Sequence, residues 1–255
     1  MKANEQQRYN DSSEQSSLVR LNKYIANAGV CSRRAADKLI EEGRVKVNGK
    51  LEKNLGTKVS LSDKVQVDNN LVTSGAKKYV IMNKPKNTIC TRNDENNRKT
   101  VIDILPDNLK HLYPVGRLDR NTTGVLLLTN DGNLTQNLLH PSKKVKKIYK
   151  AKALKRLSQE DLDRLVQGVE LEDGVSKFDK IVELNEDKEI RYGIEIHSGK
   201  NRVIRRMFEK VGNEVIKLDR VMFHSFDKRG LHKGQWRELK EKELKSLNVY
   251  LRTTK

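Results

Sequence analysis

Only two cysteines occur in the 255 residues, Cys31 and Cys90, far apart and with no partner at metal-ligand spacing. They are expected as reduced, structural thiols. The five histidines form no H-x-x-H or H-E-x-x-H pattern, so no metal site is expected. Aromatic residues make up 5% of the chain. No apolar run is long enough to cross a bilayer and no amphipathic anchor is visible, which argues against a membrane partner. The opening MKANEQQRYNDSSEQSS lacks the apolar core of a secretory signal. This places the protein in the cytoplasm.

What is abundant is positive charge. Lysine and arginine number 52 against 34 acidic residues, a formal charge of +18. Such a chain favours a polyanionic partner, because neutralising phosphates releases their counterions. The length allows one large domain or two with separate cores.

Residues 1–17 carry almost no core-forming side chains and are expected to be disordered. In RLNKYIANAG the positions of Leu21, Tyr24, Ile25 and Ala28 have helical spacing, with Gly29 as a stop. Ser32 can cap a second helix carrying Ala35, Ala36, Leu39 and Ile40, which ends at Gly43. Residues 44–47 alternate as a strand before the hairpin signal Asn48-Gly49, and Val65 and Val67 close a small β segment. Lys23, Arg33, Arg34 and Lys38 fall on the polar faces of these helices.

A second domain is expected from about residue 77. Residues 79–82 read as a strand, followed by Asn83-Lys84-Pro85. Residues 91–106 pass from polar loop to an amphipathic stretch that stops at Pro106. The focus of the chain is residues 113–133, YPVGRLDRNTTGVLLLTNDGN. There the apolar run 125–128, bounded by Gly124 and by the turn residues Asn130-Asp131-Gly132, reads as a buried strand. Asp119 then sits in the loop entering a rigid element, flanked by Arg117 and Arg120.

Six of the ten residues 143–152 are lysines, interrupted by apolar residues and Tyr149 at strand spacing, which suggests a basic strand at a sheet edge. Residues 159–166 read as a helix, and 175–182 and 191–197 as strands. In SGKNRVIRRMFEKVG one helical face carries Val203, Met207 and Val211. Another carries Arg202, Arg205, Arg206 and Glu209.

The string GRLDRNTTGVLLLTNDG closely resembles the signature of the RsuA/RluB family of rRNA pseudouridine synthases, in which the aspartate of GRLD is catalytic. Residues 19–50, VRLNKYIANAGVCSRRAADKLIEEGRVKVNGK, resemble an S4 RNA-binding domain. The NKP motif, the HPS..V.K.Y segment, GKNRVIRRM and the final G-x-W-x-x-L extend the likeness over residues 18–247. The TRND…R.TV pattern of residues 91–101 is closest to the RluB branch, which modifies 23S rRNA.

The resemblance implies an α+β protein: a small S4 domain over residues 18–76, and a catalytic domain over residues 77–250 built on a mixed, largely antiparallel sheet. It implies Asp119 as the catalytic carboxylate, paired with Arg205. Arg117, Tyr149, Arg202 and Lys84 would serve the substrate, and Arg33, Arg34 and Lys23 would contact RNA phosphates. The family pattern has glutamine or glutamate where this chain has Val203, so no polar contact is expected from that position. The reaction neither oxidises nor adds a group, so it requires no cofactor or metal. The expected partner is ribosomal RNA, 23S or a large-subunit assembly intermediate, met by a monomer. Two rival readings share these features: a non-catalytic S4-type assembly protein, and the same chemistry on 16S rRNA or tRNA.

Overall fold

The computed structural model describes residues 18–60, 62–73, 75–92, 94–184 and 189–253. The segment expected to be disordered, residues 1–17, lies outside them. The chain divides into two units, residues 1–77 and 78–255. No helix among the described residues is long and apolar enough to cross a membrane.

The first unit begins with strand β1 (Val19–Arg20) and helices α1 (Leu21–Asn27) and α2 (Arg33–Glu41). Leu21, Tyr24 and Ile25 of α1 meet Ala36 and Ile40 of α2 in a core completed by Val45, Val59, Val65, Val67 and Val72. Helix α2 starts where a cap is available: the Ser32 hydroxyl accepts the Ala35 N–H at 3.2 Å. Short strands follow: β2 (Val45–Val47), β3 (Lys50–Leu51), β4 (Lys58–Val59), β5 (Val65–Val67) and β6 (Asn70–Val72). They form an antiparallel sheet ordered β3-β2-β5-β6, while β4 pairs with β1. Asn48 and Gly49, which turn β2 into β3, both have positive φ, as a tight hairpin requires.

The second unit contains β7 (Tyr79–Lys84), β8 (Tyr113–Pro114), β9 (Thr123–Thr129), α3 (Gly132–Leu139), β10 (Lys147–Ala153) and α4 (Gln159–Gln167). It continues with β11 (Lys180–Leu184), β12 (Arg191–Ile196), α5 (Val203–Lys210), β13 (Val215–Phe223), β14 (Phe226–Asp227), β15 (Trp236–Glu238) and α6 (Glu241–Thr253). The sheet runs β11-β12-β10-β13-β9-β7-β15, with β8 and β14 attached to β9 and β13. Among the described strands the pairings are antiparallel except that of β13 with β9. The fold is thus α+β on a mixed, largely antiparallel sheet.

Strand β9 is buried on both faces, which explains its unbroken apolar run. Val125 and Leu127 pack with Leu134 and Leu138 of α3. Leu126 and Leu128 face the opposite way, onto Val101, Ile102, Leu105 and Leu109. Where β9 meets β13 in parallel, Gly124 is indispensable. A Cβ there would lie 2.1 Å from the Arg220 carbonyl oxygen, and its φ is +113°.

Two expectations need correction. The lysine-rich strand β10 is not a sheet edge: it is hydrogen-bonded to β12 on one side and β13 on the other. Its inward residues Tyr149, Ala151 and Ala153 supply the burial that an interior strand needs, while the lysines between them point away. The strand expected over residues 175–182 begins only at Lys180; Ser176 instead forms an isolated bridge with Val169.

Candidate active site

Asp119 lies in the loop between β8 and β9, and the loop is pinned from beneath. Gly116 turns the chain at positive φ. The Leu118 N–H then donates to the Cys90 sulfur at 3.3 Å. Lys84, at the end of β7, has no exposed surface. Its ammonium donates to four backbone carbonyls: Pro85 at 3.1 Å, Asp119 at 3.0 Å, Arg120 at 3.2 Å and Thr122 at 2.8 Å. Burial lowers the Lys84 pKa, and the negative charge of Asp119 works against that shift. A side chain enclosed in this way has no donor left for RNA. The expectation that Lys84 is a substrate contact is therefore corrected: it is the internal anchor of the Asp119 loop.

The Asp119 side chain is about one-third exposed (32%). Its cationic neighbours within 4 Å come from the start of α5 rather than from the adjacent Arg117 and Arg120. Arg202 Nη1 is 3.8 Å from Oδ2, and Arg205 Nε is 3.9 Å from the same oxygen. These are ion pairs without hydrogen bonds. Arg205 is largely buried (13% exposed) and donates through Nη1 to the Val215 carbonyl. Burial, reinforced by Arg202, lowers its pKa, against the pull of Asp119. Its Nε is buried and has no hydrogen-bond partner, so it can close on the carboxylate. Arg202 is held in the left-handed region, φ 46°, immediately before α5. Arg206, one position beyond Arg205, is committed elsewhere through a paired contact with Asp173. Val203 is buried, which leaves nothing polar at that position.

The floor of the pocket comes from β10 and β13. Tyr149 and Lys147 alternate onto the pocket side of β10, and Leu218, Arg220 and Phe223 line it from β13. Asp119, Arg117, Arg202 and Arg205 complete the wall. Two further clefts open beside Asp119, and both include Arg117 and Arg202. Arg117 is exposed at their junction. In the first unit, Arg33 and Arg34 are exposed at the start of α2, and Lys23 is partly buried on α1. Arg33 Nη2 lies 3.5 Å from the Asn22 amide oxygen.

Two pocket residues escaped the sequence reading. Lys147 could have been found, because the two-residue period of a strand puts it on the same face as Tyr149. Its ammonium donates to the carbonyls of Val145 and His197, and burial followed by the charge of Arg220 brings its pKa down to about 8. Arg220 could not have been found, because its facing depends on a β-bulge. Among the described residues no cluster of histidine, cysteine or carboxylate suits a metal.

A carboxylate at the mouth of a pocket, with two guanidinium groups beside it and an aromatic ring on the floor, can hold a flat base against a nucleophile. The comparisons with known proteins agree with this geometry. Residues 19–65 match the S4 domain and residues 78–210 match the RNA pseudouridylate synthase family. A ribosomal large subunit pseudouridine synthase B of Bacillus subtilis is 44% identical over 235 residues, covering 91% of this chain and 96% of that protein. An uncharacterised RNA pseudouridine synthase of Aquifex aeolicus is 41% identical, covering 90% and 93%. A crystal structure of a pseudouridylate synthase superposes with a TM-score of 0.65 at 28% identity, covering 90% of this chain and 99% of that one. The chain therefore belongs to the RNA pseudouridylate synthase family, with an S4 domain ahead of the synthase domain.

Proposed function

We propose that the protein converts uridine to pseudouridine in large-subunit ribosomal RNA, in the cytoplasm and as a monomer, with Asp119 as the catalytic carboxylate. The observation that carries this reading is the convergence of Asp119, Tyr149 and Arg205, from three separate elements, on one pocket. The names of the Bacillus subtilis, Yersinia pestis and Vibrio cholerae relatives, 37–44% identical, support the large subunit as the source of the substrate.

In the reaction the bond between uracil N1 and ribose C1′ breaks, the base turns, and C5 bonds to C1′. C5 loses its proton and N1 gains one, so nothing enters or leaves overall. A carboxylate serves this chemistry as a nucleophile or as a base at the sugar. Arg205 and Arg202 attract the carboxylate and aim it. The target atoms are hidden in a stacked strand, so the uridine must be flipped out to reach Asp119. Exposed Arg117 fills the gap or grips the flanking phosphate, and Tyr149 stacks on the flipped ring. Residues 18–76 hold the RNA through Arg33, Arg34 and Lys23, while residues 77–250 perform the chemistry.

A non-catalytic RNA-binding protein would gain nothing from the buried Lys84 anchor or from the arginine pair at Asp119. The test is chemical mapping of pseudouridine in total RNA from a strain lacking the protein. Loss of a modification in 23S rRNA supports the reading. Loss in 16S rRNA or tRNA moves the substrate, and an unchanged map contradicts the assignment.

A further inference from the structure

Strand β13 contains an irregularity with a chemical consequence. Phe223 pairs with Lys147 and Met222 with Ile148, but the next residue of β10, Tyr149, pairs with Arg220 rather than Val221. One extra residue on β13 therefore bulges at Val221. Side chains alternate along a strand, so without the bulge Val221 would stand opposite Tyr149 and Arg220 would face the other side of the sheet. The bulge turns a guanidinium into the pocket beside Tyr149.

Arg220 is only 3% exposed. Its Nε donates to the Val125 carbonyl at 2.8 Å, and its guanidinium lies 4.7 Å from the centre of the Phe223 ring. These contacts fix the plane of the group. Its Nη2 is buried and has no hydrogen-bond partner. A buried charge with an unmet donor is expensive, and this one lines the pocket, where a ligand can complete it.

We propose that Arg220 is the residue that reads the target base, donating from Nη2 to a carbonyl oxygen of the flipped uracil. This rests on the function proposed above. Uracil offers two such oxygens, O2 and O4. When the N1–C1′ bond opens, its electron pair stays with the ring and is shared by N1, O2 and O4. The same contact then strengthens as the base detaches, and relaxes when C5 bonds to C1′, C5 loses its proton and N1 takes one up. Arg220 thus selects the base and stabilises its electron-rich form.

The experiment uses synthetic RNA fragments centred on the mapped target, carrying uridine, 2-thiouridine or 4-thiouridine at that position. They are given to the wild-type protein, Arg220→Lys and Arg220→Met, with thermal melting as the control for folding. Sulfur is a poor acceptor, so one of the two thio substitutions should lower the wild-type kcat/KM by about 10- to 100-fold. That penalty should shrink in Arg220→Lys and vanish in Arg220→Met, since the variant no longer makes the contact that sulfur weakens. The position of the sensitive sulfur identifies the oxygen, and sensitivity at O4 also accounts for rejection of cytosine. Comparing penalties between proteins removes the intrinsic reactivity of the thio bases. If Arg220→Met does not fold, the comparison with Arg220→Lys decides alone. Equal penalties in all folded proteins, or none in the wild type, would overturn the role of Arg220 while leaving the synthase reading intact. A wild-type protein inert on the uridine fragment would instead overturn the reading on which the inference rests.

Discussion

Replacing Lys84 by methionine keeps an unbranched side chain of nearly the same length and deletes the four contacts Lys84 makes to the carbonyls of Pro85, Asp119, Arg120 and Thr122. Leaving four carbonyls without their donor costs about 1–2 kcal/mol each, while relief from burying an ammonium returns several kcal/mol, for a net loss of about 3 kcal/mol. The loop that loosens is the one carrying Asp119. Displacing a reacting group by about 1 Å costs on the order of a hundredfold in rate. Lys84→Met should therefore unfold at lower urea concentration and show a kcat about a hundredfold down. Its RNA affinity and the salt dependence of that affinity should stay unchanged, because no phosphate contact is lost. Tritium release from RNA labelled at uridine C5 measures the rate, and titrations at several salt concentrations measure the slope. A variant with normal stability and kcat, but a salt slope shallower by about one unit, would show that Lys84 grips RNA and would refute this reasoning.

Gly124→Ala should destabilise the protein by about 3–5 kcal/mol in urea unfolding, since it combines overpacking against the Arg220 backbone with strain at positive φ. A change below about 1 kcal/mol would mean that β9 and β13 can separate freely. Burial and the Arg220 charge bring the Lys147 pKa down to about 8 from the ordinary 10.5. Between those values the unfolded chain holds more protons, so this group adds stability as pH rises through that window. Any assistance from its charge fades as pH rises through about 8. The kcat/KM profile should therefore fall above about pH 8, and Lys147→Arg should hold its plateau to higher pH; identical profiles would exclude Lys147. Arg205→Ala should cost about 2 kcal/mol in kcat, roughly thirtyfold, with little effect on affinity. Arg33→Ala should do the reverse, weakening binding and reducing the salt slope by about one.

Much of this molecule is legible in its sequence because local physics decides it. Ser32 caps α2, Asn48-Gly49 turns a hairpin, and the unbroken run after Gly124 becomes a strand covered on both faces. The stretch Asn130-Asp131-Gly132, read as a turn, is a helix cap: Asp131 accepts the N–H groups of Asn133 and Leu134. What the sequence concealed was set by pairing across the sheet. The lysine-rich stretch reads as a sheet edge, yet β10 lies between two other strands; only the facing of Lys147, on the same side as Tyr149, was open to the strand period. Lys84 reads as a substrate contact because nothing local shows that three carbonyls of the Asp119 loop, 35 to 38 residues away in sequence, will close around it together with that of Pro85. Arg220 depends on a bulge, which no side-chain pattern announces.

The central claim is that Asp119 performs the isomerisation. Its most direct test is to incubate unmodified 23S rRNA transcript with the wild-type protein and with Asp119→Asn, and to measure pseudouridine by mass spectrometry alongside RNA affinity. The asparagine keeps the shape and removes the charge. The wild type should form pseudouridine at a defined position, and the variant should bind equally well and form none. Near-normal conversion by Asp119→Asn would contradict the account.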